Sequence, residues 1–588
     1  MCGIFGHTRF GEVQVATSRA ALHTLEHRGP DQWGEWIDDR HYVGHRRLSV
    51  LDLSEQARQP MADEHGSVVI SVNGEIYNYR ELRRELEPRY AFRSTGDSEV
   101  VLHGYREWGL EGLLQRLEGM FAFAIVDTGR GKICLARDRV GIKPLYFAWH
   151  GEFAWASELK ALERFFGDRL AVDTTALYDF LTYLYVPTPK TLYRDVFKLR
   201  PGHLVEFDVE RRCWEERAYW RLQVRREHLD VREAAEGFRE LVRQSVEREL
   251  VSDVPVGFFL SGGIDSSVVV AEASRLSDQV HTYTIGFREK SHDESRFARI
   301  VADAFGTRHT QRVLTADDAE VLFGKLKDWY DEPFGDTSAL PSHLVASLAR
   351  ETSKVVLTGD GGDEVMGGYL RYRRFARYRR LPVPRLNLFR PLTSAIRRAK
   401  KGSLAGRISN RVECAFVADD LELYTRLVGG MLKDEKRAYA DLWGIPDDYD
   451  DYWCFREHYR EDLPVLTRLQ FLDLHTYLHD DILTKVDRVT MAVSLEARVP
   501  LLWHRLIEFA FSLPEEVRYH GGALKGLMKE AYRTILPAEI LGRGKRGFSI
   551  PLGSWRQQLL NDGRTREEHI LAELFGDRIQ VARPETVG

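Results

Sequence analysis

The spacing of apolar residues predicts a β-rich region over roughly the first 205 positions. Residues 68–72 form an apolar run that ends at Asn73-Gly74, a dipeptide typical of a tight turn between strands. Residues 120–127 and 132–136 are further apolar runs separated by a short glycine-containing segment, which predicts a hairpin. Apolar residues at helical spacing over 99–108 interrupt the strands. Strands with a few helices indicate a layered α+β structure.

The pattern changes after about residue 230, where short apolar runs alternate with helical segments. Such strand–helix units form a parallel sheet with right-handed crossovers and helices on both faces, which is an α/β arrangement. The predicted strands are 256–260, 281–287, 310–314 and 354–358, and the predicted helices are one that ends at 276 and two over 294–305 and 341–352. The charged stretch 206–232 is the predicted connecting segment, so we expect two domains, at 2–205 and 233–560, and a C-terminal tail at 561–588.

Composition narrows the function classes. The chain has 588 residues, and its 84 Lys and Arg nearly balance its 89 Asp and Glu, so a clearly basic nucleic-acid-binding protein is not expected. No apolar run approaches the roughly 18 residues of a membrane span, and the N-terminus lacks the pattern of a signal peptide. Five scattered cysteines predict neither a disulfide framework nor a zinc site. We therefore expect a cytoplasmic protein with no nucleic-acid or membrane partner.

Residues 371–401 form a basic stretch that carries twelve Lys and Arg residues. One interpretation is a patch that binds a polyanion. The favoured interpretation is a solvated helical face, because runs of like charge are common on protein surfaces.

Cys2 is a candidate nucleophile because it directly follows the initiator methionine. Removal of Met1 would give Cys2 a free α-amine, and one residue would then carry both a thiol and a base. An α-amine has a pKa near 8, so it can accept the thiol proton and later protonate a leaving amine. A cysteine at the second position usually has no such role, so the assignment depends on its surroundings.

Three further features match the chemistry of an amide substrate. Asn73-Gly74 could be only a turn, yet a side-chain amide beside a glycine N–H also provides the two donors of an oxyanion hole. Arg47 and Asp97 carry opposite charges that could hold the carboxylate and the ammonium of an α-amino acid. Taken singly, Arg47 and Asp97 are each more often an ordinary surface charge.

Five motifs occur in order in this region: Cys2-Gly3-Ile4, His27-Arg28-Gly29-Pro30-Asp31, Arg47-Leu48-Ser49, Asn73-Gly74-Glu75-Ile76-Tyr77-Asn78 and Gly96-Asp97-Ser98-Glu99. Together they resemble the glutaminase domain of class II amidotransferases, which has the αββα sandwich of N-terminal-nucleophile hydrolases. The resemblance implies that Cys2 attacks the glutamine amide and forms a thioester. It also implies an oxyanion hole at Asn73 and Gly74. The implied glutamine-binding residues are Arg47, Leu48, Val50, Asn73, Glu75 and Asp97.

Two loops in the second half are candidate phosphate and metal sites. Residues 261–267, Ser-Gly-Gly-Ile-Asp-Ser-Ser, follow a predicted strand and open a helix, where backbone N–H groups and the helix dipole favour an anion. This segment lacks the Gly-Lys-Ser/Thr ending of a Walker A loop. Residues 359–364, Gly-Asp-Gly-Gly-Asp-Glu, follow another predicted strand, and open α/β sheets bind ligands at the carboxyl ends of their strands. A plain surface loop is the alternative for each segment.

The first loop resembles that of the ATP pyrophosphatases, and the whole chain resembles the glutamine-hydrolysing asparagine synthetase family. Segments 487–492 and 496–500 are also similar to that family. The resemblance implies ATP as a substrate and Mg²⁺ as a cofactor. The implied ATP-binding residues are Leu260, Ser261, Gly262, Gly263, Asp265, Ser266, Ile285, Thr358, Gly359 and Lys525. The implied metal ligands are Asp265, Asp363 and Asp481, and Asp360 and Glu364 are candidates for proton transfer. Asp360 stands where members of the family often have glutamate.

The resemblance predicts a two-site ligase that forms asparagine, glutamate, AMP and pyrophosphate from glutamine, aspartate and ATP. Ammonia would need a shielded route between the sites, and a homodimer is compatible with the resemblance. One alternative is a related amidotransferase that acts on another carboxylate, such as a sugar uronate, a peptide or a secondary-metabolite precursor. A plain glutaminase would leave the loops at 261–267 and 359–364 unexplained, and an inactive scaffold would leave Cys2 unexplained.

Overall fold

The computed structural model describes residues 1–9, 14–225, 227–382, 404–544 and 571. Twelve strands of the first half are β1 (Cys2–Thr8), β2 (Gln32–Ile37), β3 (His41–Arg47), β4 (Met61–Ala62), β5 (Val68–Ile76), β6 (Gly119–Asp127), β7 (Lys132–Arg137), β8 (Tyr146–Trp149), β9 (Phe153–Ala156), β10 (Val196–Lys198), β11 (His203–Asp208) and β12 (Cys213–Ala218). Its helices are α1 (Val15–His23), α2 (Tyr79–Leu86), α3 (Glu99–Arg116), α4 (Leu159–Phe166) and α5 (Thr174–Tyr183).

These elements form four layers. One antiparallel sheet has the order β10-β8-β9-β1-β3-β2, and the other has the order β12-β11-β7-β6-β5-β4. A cluster that includes Ile4 and Trp155 from the first sheet and Ala124 from the second fills the space between the sheets. Helices α1, α4 and α5 pack on the outer face of the first sheet, and α2 and α3 pack on that of the second. The predicted αββα sandwich is confirmed.

The second half contains a five-stranded parallel sheet in the order β15-β14-β13-β16-β17. Its strands are β13 (Val256–Phe259), β14 (His281–Phe287), β15 (Arg308–Leu314), β16 (Val355–Leu357) and β17 (Glu496–Arg498). Helices up to residue 380 are α6 (Val231–Glu249), α7 (Ile264–Leu276), α8 (Ser295–Ala304), α9 (Ala316–Phe323), α10 (Leu326–Trp329), α11 (Ala339–Arg350), α12 (Gly362–Met366) and α13 (Leu370–Arg380). Two apolar clusters cover the two faces of the sheet, as predicted for an α/β domain.

Helical additions follow from residue 404 onward. They are Leu404–Phe416, Asp420–Val428, Arg437–Trp443, Trp453–His458, Val465–His475, a π-helix at Leu478–Leu483, Thr484–Met491, His504–Ser512, Glu515–Arg518, Gly526–Ala531 and Ala538–Leu541. The described part of the basic stretch is α13, on which four arginines are exposed, as a solvated helical face predicts: Arg373, Arg374, Arg377 and Arg380. Most of the predicted tail lies outside the described residues.

The structure differs from the sequence prediction in three places. The predicted turn at Asn73-Gly74 is wrong, because β5 continues through both residues to Ile76 while paired with β6. Strand β17 was not predicted, because three residues are too short for a periodic pattern. Strands β11 and β12 extend the second sheet into the predicted connecting segment, so we propose that the first domain runs to Ala218.

Buried charges join the two domains. Arg28 is fully buried, and its Nη1 donates to Glu158 Oε1 and to Asp487 Oδ2, each at 2.7 Å. Its Nη2 donates to Asp487 Oδ1 at 3.0 Å, and its Nε donates to the carbonyl of Cys2 at 3.0 Å. One side chain therefore ties the first strand of the N-terminal domain to the helix Thr484–Met491 of the other domain.

Replacing Arg28 with methionine should destabilise the protein strongly. The change keeps much of the buried volume but leaves the carboxylates of Glu158 and Asp487 without this partner, and breaking a buried pair costs about 3 to 5 kcal/mol. Calorimetry should show a large fall in the thermal midpoint. The control is Arg243→Met, which removes an exposed ion pair with Glu240 and Glu247 on α6 and should change the midpoint far less. Equal shifts for the two variants would contradict this role of Arg28.

Candidate active sites

The first site lies where β1 pairs with β3, so that Cys2 lies opposite Arg47. The backbone N–H of Cys2 donates to Asn73 Oδ1 at 2.8 Å, and the side chain of Cys2 is buried. Burial raises the pKa of the Cys2 thiol, although the N-terminal ammonium, the Leu48 backbone N–H and Arg47 oppose this effect. The structure therefore brings Cys2, Arg47, Leu48 and Asn73 together, as predicted.

Asn73 has the features of an oxyanion-hole donor, and Gly74 follows it in β5. Asn73 is fully buried, and its Nδ2 has no hydrogen-bond partner among the described residues. A buried amide donor without a partner is costly unless a ligand accepts from it. At Gly74, a Cβ atom would lie 2.0 Å from the carbonyl oxygen of Met120 in the adjoining strand, so this position requires glycine.

The remaining predicted glutamine-binding residues surround this point. Arg47 uses its guanidinium to hold the carbonyls of Leu51 and Asp52, at 2.8 and 2.6 Å. Asp97 accepts from the Ile76 N–H at 2.7 Å, and burial raises the pKa of this carboxyl. Val50 is buried, and its carbonyl accepts from the N–H of Asp253 in the second domain at 3.0 Å.

Sequence reasoning missed the residues that the second domain brings to this site. Glu496 on β17 accepts from the Met1 ammonium at 2.5 Å, and it lies near Glu75. Burial raises the pKa of Glu75 well above its ordinary value, and the charges of Glu496 and Asp97 raise it further. Arg498 contacts Glu496 at 2.7 Å and Glu75 at 3.7 Å. Glu496 and Arg498 belong to a segment with a recognisable family pattern, but the pattern carries no information on this long-range contact.

The second site is a cavity of about 640 Å³ at the carboxyl ends of β13 and β16. Most of the predicted ATP-binding residues line it: Leu260, Ser261, Gly263, Asp265, Ser266, Ile285, Thr358, Gly359 and Lys525. Gly262 does not line the cavity and packs against helix α8, where a Cβ atom would lie 2.5 Å from the backbone N of Ala298. The two loops touch at Gly359, where a Cβ atom would lie 2.5 Å from the backbone N of Ser266.

Lys525 joins the two predicted metal-binding carboxylates of this cavity. Its Nζ forms ion pairs with Asp265 and with Asp363, the latter at 2.5 Å. These two charges raise the pKa of Lys525, although burial opposes them. Lys525 therefore stays charged and points at the loop after β16 and at the start of α7, where phosphate groups are most easily bound.

Asp481 does not join Asp265 and Asp363. It lies in the π-helix Leu478–Leu483, outside the cavity lining, and shares a hydrogen bond with Asp336. Burial, followed by the charge of Asp336, raises the pKa of Asp481 well above its ordinary value. Asp481 therefore lies outside the lining that contains Asp265 and Asp363, and its role as a metal ligand stays a prediction. Within the described ranges, no group of three His, Cys, Asp or Glu side chains is arranged to hold a metal ion.

Both candidates for proton transfer line the cavity. Asp360 accepts from Thr358 Oγ1 at 2.7 Å, and Glu364 Oε1 accepts from the Tyr369 hydroxyl at 2.5 Å. Burial and the charge of Asp363 raise the pKa of Glu364 to about 7, while the Tyr369 hydrogen bond opposes the shift. A carboxyl with such a pKa can gain and lose a proton near neutral pH.

Comparison with known proteins finds family models that match both halves of the chain. A family model described as "Glutamine amidotransferase domain" matches residues 1–220, and one described as "Asparagine synthase" matches residues 237–584. The chain belongs to the glutamine-hydrolysing asparagine synthetase family. It is 32% identical over 577 residues to "Asparagine synthetase [glutamine-hydrolyzing] 1" of Bacillus subtilis, covering 96% of this chain and 89% of the relative.

Two further relatives show the range of the family. A "Putative asparagine synthetase [glutamine-hydrolyzing]" of Mycobacterium bovis is 34% identical over 566 residues, covering 92% of this chain and 85% of the relative. "Amidase chry2" of Gibberella zeae is 30% identical over 625 residues, covering 94% of this chain and 90% of the relative. Among the described helices, none has the length and apolarity needed to cross a membrane.

The raised pKa of Glu364 predicts a pH-dependent stability. A carboxyl whose pKa is raised from 4.5 to about 7 in the folded state stabilises the fold below pH 4.5 and loses that contribution as the pH rises through 7. Between pH 4.5 and 7, the unfolding free energy of Glu364→Gln should therefore rise relative to that of the parent protein. Above pH 7 the difference should become constant. Urea titrations at a series of pH values measure it.

A matched control is Glu247→Gln on α6, because the Glu247 side chain is 58% exposed. Its difference from the parent protein should stay nearly constant with pH. A constant difference for Glu364→Gln as well would contradict the raised pKa.

Proposed function

We propose that this protein is a glutamine-dependent asparagine synthetase, an ATP-dependent carbon–nitrogen ligase that takes its nitrogen from glutamine. The observation that carries the proposal is the presence of two chemically different sites in one chain of this family. One site places a buried cysteine next to an unpartnered amide donor. The other is a cavity with a Ser-Gly-Gly loop, two carboxylates and a lysine.

The first reaction releases ammonia from glutamine. After removal of Met1, the α-amine of Cys2 takes the thiol proton, and the thiolate attacks the carbon of the glutamine side-chain amide. Asn73 Nδ2 and the N–H of Gly74 donate to the oxygen that becomes negative. The amine returns the proton to the leaving nitrogen, the C–N bond breaks, and water then hydrolyses the thioester to glutamate.

The second reaction activates the side-chain carboxylate of aspartate. A carboxylate oxygen attacks the α-phosphorus of ATP, and pyrophosphate leaves with the electrons of the bond between the α and β phosphates. Lys525, the N–H groups of the loop at 261–263 and the start of α7 counter the phosphate charge. Asp265 and Asp363 provide the hard oxygen donors that would hold Mg²⁺ against the phosphates, and the ion would supply further charge neutralisation.

Ammonia then attacks the activated carbonyl and displaces AMP. The attacking nitrogen loses a proton, and Glu364 is better suited than Asp360 to receive it. Its pKa of about 7 leaves a large fraction ionised at neutral pH, whereas Asp360 is held by Thr358. We place the enzyme in the cytoplasm, where its small-molecule substrates glutamine, aspartate and ATP are available.

A second candidate is a related amidotransferase that uses a carboxylate other than that of aspartate. The relative named "Amidase chry2" supports this second candidate, because the match covers 94% of the present chain. Both candidates share the chemistry of ammonia release and adenylation. A screen of carboxylic acids for glutamine-dependent AMP formation separates them, and we expect aspartate to give the highest turnover. Turnover with another carboxylate but none with aspartate would select the second candidate.

Replacing Cys2 with alanine should separate the two reactions. Asparagine formation from glutamine should fall at least about a thousandfold, because the nucleophile is lost, while formation from free ammonia should be retained. Measurement of asparagine with each nitrogen donor tests this expectation. Cys213, an exposed cysteine on β12, provides the matched control: Cys213→Ala should leave both activities unchanged.

Two outcomes would contradict the role of Cys2. One is loss of both activities in a Cys2→Ala variant whose thermal unfolding is normal. The other is a mass spectrum of the active wild-type enzyme in which Met1 is retained, because the proposed base is the α-amine of Cys2.

Replacing Asp265 with asparagine should stop the second reaction alone. The change removes one of the two carboxylates that face Lys525 and keeps the shape of the side chain. Pyrophosphate release should fall at least about a hundredfold, and hydrolysis of glutamine without ATP should persist. The exposed Asp278, just after α7, serves as control through Asp278→Asn. Unchanged pyrophosphate release in Asp265→Asn would contradict the assignment of this cavity.

A further inference from the structure

An ammonium group already sits beside the proposed nucleophile. The α-ammonium of Met1 donates to Glu496 Oε2 at 2.5 Å, and both groups are fully buried. The carbonyl of Met1 accepts from the Leu48 N–H at 3.2 Å, and the next residue is Cys2. This buried ammonium is therefore held one residue from the thiol and against the second domain.

Three carboxylates from two domains lie close together next to this position. Glu75 and Asp97 come from the first domain, and Glu496 comes from β17 of the second. Each is at most 5% exposed, and the charges of Glu496 and Asp97 both act on Glu75. Buried like charges repel each other, so the cluster requires cations near it. In the described chain, Arg498 and the Met1 ammonium contact these carboxylates, and the charge of Lys143 also acts on Glu496.

Removal of Met1 takes the ammonium away from Glu496, because the new α-amine is that of Cys2, whose nitrogen lies 2.8 Å from Asn73 Oδ1. Glutamine carries an α-ammonium of the same charge and hydrogen-bonding capacity, and the proposed reaction brings its amide to Cys2 and Asn73. We propose that Glu496, contributed by the synthetase domain, binds the α-ammonium of glutamine together with Glu75 and Asp97. This inference rests on the proposed glutaminase reaction, and it makes the glutamine site a composite of both domains.

The position of Glu496 connects glutamine binding to the ATP cavity. Strand β17 pairs with β16, and the carbonyl of Arg498 accepts from the N–H of Thr358 at 2.9 Å. Thr358 in turn holds Asp360 in the cavity. A ligand bound to Glu496 therefore contacts the strand next to the loop that lines the second site.

The test uses Glu496→Gln in the full-length enzyme and compares two amides as substrates. One is glutamine, and the other is glutaramate, which is glutamine without its α-amino group. The variant should raise KM for glutamine at least about tenfold, because it removes a charge-assisted hydrogen bond. It should change kcat/KM for glutaramate much less, so the preference for glutamine should shrink about tenfold. Asparagine formation from free ammonia should persist.

Glu249→Gln is the matched control at the same domain interface. Glu249 is buried, and burial raises the pKa of its carboxyl to about 8, so an amide is a mild replacement. This variant should keep the preference for glutamine. An unchanged KM for glutamine in Glu496→Gln, or an equal loss for the two amides, would overturn the inference. Absence of glutamine hydrolysis in the unmodified enzyme would instead overturn the proposed function.

Discussion

Charges buried between the two domains must be paired, and this requirement fixes how the halves of the protein meet. Arg28 pairs with Asp487 across the interface and with Glu158 within its own domain. Arg498 lies 3.7 Å from Glu75 across the interface and 2.7 Å from Glu496 on its own strand. An unpaired charge in such surroundings costs several kcal/mol, so the pairs select one relative position of the domains. Because Arg28 also holds the carbonyl of Cys2, the position of the nucleophile depends on the second domain.

The same interface links the two sites through short connections. Strand β17 is at the edge of the parallel sheet. Its Glu496 lies at the proposed glutamine site, and the carbonyl of Arg498 accepts from Thr358 beside the proposed ATP-binding loop. Helix Thr484–Met491 pairs with Arg28 through Asp487 and lines the cavity with Val489 and Thr490. Two reactions that share a reactive intermediate benefit from such proximity, because free ammonia in water is mostly protonated.

Local sequence patterns predicted much of this architecture, but they did not predict contacts between residues that are far apart in the sequence. The strand–helix alternation after residue 230 and the hairpin of β6 and β7 follow from spacing alone. Asn73-Gly74 has the composition of a turn, but pairing with β6 kept it within a strand, where glycine is needed because the carbonyl of Met120 lies too close for a Cβ atom. Sequence order also does not show that Asp481 shares a hydrogen bond with Asp336. The contact between Met1 and Glu496 spans 495 positions, which no periodic pattern can indicate.

The central claim is that one chain transfers the amide nitrogen of glutamine to a carboxylate activated by ATP. The most direct measurement supplies glutamine labelled with ¹⁵N in the side-chain amide, together with aspartate, ATP and Mg²⁺, and follows the label and the nucleotides. The account predicts asparagine with ¹⁵N in its side-chain amide, with one AMP and one pyrophosphate formed for each asparagine. Hydrolysis of glutamine without any cleavage between the α and β phosphates of ATP would contradict it.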